Sequence, residues 1–221
     1  VSKVSLGGSG KLEPTSVGTI LVVSDDLARS MTTEASSLIN AEMRNAVSYV
    51  VDDEFFSLVI DGNTPTFASS GTGAGGMKAD LKKLLDAVNK LGVGPLIWSM
   101  SPDVANDAAI LDEKDDMTPL GGLLLGLPAM VSSVVPSGTL RLINGAAIVA
   151  NADGMEMDAS QNATIQMADN PTNSSATPTP AEQISMFQTN STALLAKIHM
   201  GAKRLRDDAV AQVTDVQWGV A

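Results

Sequence analysis

Residues 32–62 read TTEASSLINAEMRNAVSYVVDDEFFSLVIDG, and this stretch decides the fold. Apolar residues fall at Ala35, Leu38, Ile39, Met43, Ala46, Val47, Val50, Val51, Phe55, Leu58 and Val59. That is helical spacing, sustained for about thirty residues. Thr32 or Thr33 can cap the start, and Glu34 suits the positive end of the helix dipole. Gly62 and Pro65 supply the stop. The pattern predicts one helix over about 32–61, roughly 40 Å long at 1.5 Å per residue. A helix of that length is a brace for a whole molecule.

The flanks extend this reading. Upstream, VGTILVVS (17–24) is rich in β-branched residues and reads as a strand, after a Gly/Ser-rich segment at 1–16. SDDLARSMTT then turns the chain. Downstream, GTGAGG (71–76) leads into a second amphipathic helix marked by Leu81, Leu84, Leu85, Val88 and Leu91, with Gly92 ending it. PLIWSM (95–100) reads as a buried strand. Ser101 and Pro102 open a short helix, DVANDAAILDE. GLPAMVSS and TLRLI are strand-like, and Asn144-Gly145 is a hairpin signal between TLRLI and AAIVA. Asp153-Gly154 marks a further turn and ATIQM (163–167) a short strand, before a polar Pro/Thr/Ser loop at 169–182. In 194–203, Leu194, Ala196, Ile198, Met200 and Ala202 alternate with Leu195, Lys197, His199, Gly201 and Lys203. Period two means a strand with one wet face, although Leu194, Leu195 and Ile198 also fit a helix.

Composition narrows the function classes. The chain has 221 residues, enough for one large domain or two small ones, and 44% of them are hydrophobic, so it buries a real core. With no cysteine, thiolate nucleophiles, disulfides and Cys-ligated zinc are excluded. His199 is the only histidine, so a triad would have to be built around it. A net charge of −11 and 3% aromatics argue against nucleic-acid binding through a basic field or a stacking platform. The longest mostly apolar run, LGGLLLGLPAMV (120–131), is too short to span a bilayer. The segment VSKVSLGGSGKLEP lacks the apolar region of a signal peptide, and a start at Val1 reads as a processed product or a fragment.

The chemical candidates are few. Gly71, Gly73 and Gly76 fit the G-x-G-x-x-G spacing of a dinucleotide loop, with a helix and then Asp103 beyond. That motif needs a buried strand ending at the first glycine, and DGNTPTFASS reads as loop. The spacing alone is weak, and a flexible joint is the favoured reading. Acid groups at Asp25/Asp26, Asp52/Asp53/Glu54, Asp112/Glu113/Asp115/Asp116 and Asp207/Asp208 could hold a cation or move protons, yet none has EF-hand spacing. They read as solvated helix ends and loop tips. His199 reads as a surface residue, and no serine lies in a G-x-S-x-G elbow. Asn162, Asn173 and Asn190 fit the glycosylation pattern and are discounted without a secretory signal. The residues point to no catalytic, cofactor-binding or metal site.

The order of elements resembles the tailed-phage major capsid proteins. LVVSDDLARSMTTEASSLINAEMRNAVSYVVDDEFFSLVIDG is similar to the segment where a strand leads into their spine helix. Ser24, Asp25, Leu27, Asp52, Asp53 and Gly62 fill the family's places there. PLIWSMSPDVANDAAILDEKDDM resembles the strand, capped turn and short helix ahead of an acidic loop. Leu125, Gly126, Leu127 and Pro128 match an L-x-G-x-P segment, and ISMFQTNSTALLAKIHMGAKRLRDDAVAQVTDV resembles the long final strand, which favours strand over helix there.

The resemblance implies an α+β fold of the Hong Kong 97 type. It assigns residues 1–76 to a peripheral domain with the spine helix and 77–181 to an axial α/β domain. Residues 182–206 become the returning long strand and 207–221 a C-terminal strand or tail. It implies a non-enzymatic shell subunit that forms pentamers and hexamers around packaged DNA. The implied partners are itself, portal and scaffold proteins, with no membrane and no cofactor. The implied location is the virion capsid, assembled in the bacterial cytoplasm. Family members carry an N-terminal arm and an extended loop ahead of the strand. Residues 1–16 match neither, so a form lacking both is expected, and no position takes the role of the cross-linking lysine some members have. Candidate subunit contacts, from exposure, are Asp112, Glu113, Asp115, Asp116, Asn170 and Thr179. The alternatives are a nucleotide-binding α/β enzyme using 71–76, or an encapsulin-like compartment with protein cargo.

Overall fold

A computed structural model describes residues 12, 14–30, 32–90, 92, 94–112, 116–166 and 183–219, side chains of 28–30 and 33–36 excepted. In chain order its elements are β1 (Thr15–Ser24), α1 (Asp25–Ser30), α2 (Thr33–Val59), β2 (Thr66–Ala68), α3 (Gly73–Val88) and β3 (Leu96–Met100). Then come α4 (Pro102–Leu111), β4 (Met117–Thr118), β5 (Gly121–Leu124), β6 (Leu127–Val131), β7 (Leu140–Asn144) and β8 (Ile148–Ala152). The last are β9 (Glu156–Ser160), β10 (Thr164–Gln166), β11 (Gln183–Ser185), β12 (Ser191–Arg204) and β13 (Val210–Thr214). The chain divides into two compact units. One contains Asp52–Asn151 and Gly201–Ala221, the other Pro14–Val51 and Ala152–Met200.

The second unit is built on β1 and β12. They pair antiparallel without a break, from Thr15 opposite Met200 to Ser24 opposite Ser191. Alternation gives this pair two faces. Leu21, Leu194, Ala196 and Ile198 meet Ile39, Met43, Val47 and Val51 of α2 in one apolar cluster. The other face carries Lys197, opposite Gly18 on β1 and Glu156 on β9. Gly18 is required here, since a Cβ would lie 2.8 Å from the Ala196 carbonyl oxygen. The period-two reading of 194–203 therefore holds, but the strand begins at Ser191. Gln183–Ser185 turns off separately as β11 and pairs with β10.

The first unit is a seven-stranded sheet in the order β2-β13-β7-β3-β6-β5-β4. β2 runs parallel to β13 and β3 parallel to β6, while the remaining pairs are antiparallel. One face is covered by α3 and α4. Leu81 and Leu84 of α3 and Val104 and Ala108 of α4 close over Trp98, Met100, Leu140, Leu142 and Val213. Each large apolar side chain so buried contributes about 1.5–3 kcal/mol. On the opposite face Ile143 and Val210 meet Val59, Phe55 and Phe56. Residues 39, 43, 47, 51, 55 and 59 of α2 thus serve two clusters in turn, which explains why its apolar positions run so long.

Several local expectations are corrected. Asp25–Ser30 is a short helix, with Asp25 and Asp26 in its first turn, and not a simple turn. Asn144-Gly145 does not close a hairpin. Asn144 Oδ1 accepts from the Ala146 amide and opens a single 3-10 turn, and the strands on either side, β7 and β8, belong to different sheets. Ser101 precedes α4, yet its hydroxyl does not cap the helix and instead faces Thr139. α3 stops at Val88, before Gly92, which adopts φ +60°. DGNTPTFASS contains a strand after all, the three residues of β2.

Candidate functional site

The glycine segment opens α3 and is bonded to other parts of the chain. Gly73, Gly75 and Gly76 lie inside the first turn of α3. Gly76 sits so close to Gly71 that a Cβ would overlap the Gly71 carbonyl. Three amides around the segment are bonded within the chain. Gly73 N–H donates to Trp218 O at 2.9 Å, Gly76 N–H to Thr72 O at 3.3 Å, and Ser70 N–H to Asp80 Oδ1 at 2.7 Å. Asp80 is fully buried. Its carboxylate also accepts from Ser70 Oγ (2.5 Å), Ser69 Oγ (2.9 Å) and Trp218 Nε1 (3.0 Å), with Lys83 Nζ at 3.8 Å. The strand before the segment is only Thr66–Ala68 and ends short of Gly71, and the Ser69–Ser70 step is tied to Asp80 within the chain, so the context of a dinucleotide loop is not met.

Asp80 and Trp218 went unnoticed in the sequence. A signal was present, since Asp80 lies on the apolar stripe of α3 between Met77 and Leu84, where a charge must find partners. Arg141 carried a similar signal as the one charge within TLRLI. It is buried on β7, where its guanidinium stacks over the Phe56 ring at 4.6 Å and Nε donates to Gln212 Oε1 at 3.3 Å. Burial lowers its pKa to about 10. Gln212 Nε2 passes the chain of hydrogen bonds to Thr66 Oγ1 at 3.1 Å. Ser99, Arg141, Gln212 and Thr66 stand side by side across four strands, a polar row through the sheet.

The acid groups close loops and helix ends. Asp25 Oδ1 accepts from Thr192 Oγ1 at 2.8 Å. Asp61 pairs with Arg204, and the Asn63 amide, followed by that arginine, holds its carboxyl below the usual range. Burial raises the carboxyl of Asp52. Asp103 feels burial, which raises it, but hydrogen bonds from Ser101, Ser137 and the Gly138 amide outweigh that and leave it lowered. Among the predicted contact residues, Asp112 Oδ2 accepts from the amides of Asp116 (3.1 Å) and Met117 (3.0 Å), closing the step from α4 into β4. Asp116 is exposed. Glu113, Asp115, Asn170 and Thr179 lie outside the described residues. His199 stands opposite Ser16 on the sheet face away from α2. Among the described residues no group of three or more His, Asp or Glu side chains is placed to hold a metal ion, and no helix is long and apolar enough to cross a membrane.

The described residues thus form a long helix on a long antiparallel strand pair and a helix-covered seven-stranded sheet, with the buried Asp80 carboxylate bonded within the chain. Solved structures share it. The chain matches a Gordonia phage Cozz structure with a TM-score of 0.63 at 12% identity, covering 97% of this chain and 78% of that one. It matches the holo-SrpI encapsulin complex from Synechococcus elongatus PCC 7942 with a TM-score of 0.52 at 16% identity, covering 94% and 77%. The chain has the α+β capsid fold of the Hong Kong 97 type, as the resemblance implied. Its sequence is similar to the "Capsid polyprotein" of Pseudomonas phage PAJU2, 27% identical over 236 residues. The match covers 95% of this chain and 35% of that protein, so the chain spans about a third of the relative's length. No family model matches the chain.

Proposed function

We propose that this chain is the shell-forming part of a major capsid protein of a tailed phage or prophage. Its copies associate into pentamers and hexamers that close into an icosahedral shell around DNA. The observation that carries this reading is the similarity to a phage capsid polyprotein along almost the whole chain, in a chain that adopts a capsid fold. The physical case agrees. A closed shell needs broad complementary surfaces repeated by symmetry, and no reaction centre. A net charge of −11 lets a shell enclose DNA without gripping it. The protein is accordingly proposed as non-enzymatic and located in the virion capsid, with assembly in the bacterial cytoplasm and portal and scaffold proteins as further partners.

The acidic loop of Asp112, Glu113, Asp115 and Asp116 and the polar loop containing Asn170 and Thr179 are proposed as subunit contacts. The peripheral and axial assignment of residues 1–76 and 77–181, with 182–206 returning, is proposed with them. The encapsulin neighbour favours a second reading, a compartment with protein cargo, on fold alone. Negative-stain electron microscopy of the protein, followed by nuclease treatment and analysis of the contents, tests the proposal. Closed shells holding DNA are expected. Shells holding only protein overturn the phage reading, and a protein that stays monomeric at every concentration and salt overturns both.

A further inference from the structure

We propose that the β5–β6 hairpin is a contact between copies of this chain, with Leu125 at its tip and Leu120, Leu123 and Met130 beside it. The inference rests on the shell reading above and names the surface through which it works. Leu120 is 93% exposed, Met130 61%, Leu125 58% and Leu123 46%. Surfaces scatter single apolar side chains, whereas three large ones within one hairpin and a fourth in the turn just before it call for a cover. The register holds part of the patch together. Leu123 is opposite Pro128 and Met130 is opposite Gly121, so these side chains share one face of the sheet.

The turn supplies an independent observation. Leu125 and Gly126 are the two central residues of the hairpin turn, with φ of +55° and +76°. Both positive values mark the turn that Asn-Gly forms with ease. Leucine is strained in that region, because its Cβ crowds the backbone. Asn, Asp or Gly would make the same turn without strain. Leu125 is exposed and adds nothing to the core of its own chain. The benefit that offsets its strain lies outside the chain.

Charge selects the occupant. No charged residue lies between Asp116 and Arg141, the longest uncharged stretch in a chain of net charge −11. Copies of an acidic chain repel wherever their acids meet, and least where neither surface carries any. Asp116 stands at the border of the hairpin, where its carbonyl packs against Gly122, and restricts how a copy can slide. A nucleic acid would require cations, and a basic partner would find no carboxylate on the patch. A second copy, meeting the patch with its own uncharged surface, fits.

The test uses the full-length protein in three variants. Leu125→Asn removes the apolar tip and relieves the turn, so its melting temperature stays the same or rises. Met130→Glu places a charge in the patch. Ile110→Glu, at an 82% exposed isoleucine on α4 outside the hairpin, is the control. Sedimentation velocity across a concentration series reads the concentration at half-assembly. Leu125→Asn and Met130→Glu are expected to raise it roughly tenfold or more, while Ile110→Glu leaves it unchanged. If the wild type assembles and both hairpin variants match it, the hairpin proposal falls, another partner covers the patch, and the shell reading stands. If the wild type never assembles, the two fall together.

Discussion

Replacing Asp80 by alanine is the sharpest test of how the glycine segment is held. Four donors converge on this carboxylate, and they differ in freedom. The hydroxyls of Ser69 and Ser70 can turn toward other acceptors, but the Ser70 amide and Trp218 Nε1 are fixed by the backbone and the ring. A buried donor left without a partner costs about 1–3 kcal/mol. Asp80→Ala strands two of them and opens a void, a loss of about 3–5 kcal/mol, in line with breaking other buried charged networks. Asp80→Asn keeps the shape, but its amide group can face only one fixed donor with oxygen and meets the other with N–H. It loses about 1–3 kcal/mol. At about 2–4 °C per kcal/mol for a chain of this size, the alanine variant melts roughly 6–20 °C lower. Trp98 and Trp218 are both buried, so guanidinium unfolding followed by tryptophan fluorescence reads the change directly. An alanine variant within about 1 kcal/mol of wild type, or an asparagine variant as damaged as alanine, refutes the reasoning.

Three further outcomes are expected. Gly76→Ala forces a Cβ into the Gly71 carbonyl and destabilises by about 1–3 kcal/mol in the same assay, whereas Gly75→Ala meets open space and is close to neutral. Arg141→Met replaces a buried cation that has no carboxylate partner. With the folded pKa lowered from 12.5 to about 10, the burial cost is fully present at neutral pH and is relieved only as pH rises through that window, so the variant is neutral or stabilised by up to about 2 kcal/mol. A clear fall in its melting temperature contradicts this. Asp103, whose folded pKa lies below its ordinary 3.8, binds fewer protons folded than unfolded in that interval. Its stabilisation is therefore present above pH about 4 and lost on acidification below it, and Asp103→Asn should flatten urea-measured stability between pH 7 and pH 3.

How far the fold was readable depended on the range of the signal. The helix of residues 33–59 was visible because Ile39, Met43, Val47, Val51, Phe55 and Val59 recur at near-helical intervals along one segment. The alternation at 194–203 marked the β12 strand for the same reason. Asn144-Gly145 misled because a turn dipeptide reports the local bend and not where the next strand pairs. Asp25–Ser30 was missed because six residues carry too little periodicity to separate helix from turn. Asp112 stands out in the sequence by its place in an acidic run, yet its acceptance from the Asp116 and Met117 amides depends on geometry the run does not encode.

The sequence by itself determined the long helix, the long late strand, the absence of thiol chemistry, the acidic charge and the resemblance to capsid proteins, because each resides in composition or in spacing along the chain. Tertiary structure alone decided what GTGAGG is. Its spacing fits a phosphate cradle, and its glycines favour a joint. Only the approach of Trp218, more than a hundred residues further on, together with the Asp80 carboxylate, ties it by hydrogen bonds to the rest of its unit. The same holds for Leu125, whose apolar character is plain in the sequence. Its positive φ and its exposure exist only once β5 and β6 are paired, because strand pairing is what forces two residues to make the turn.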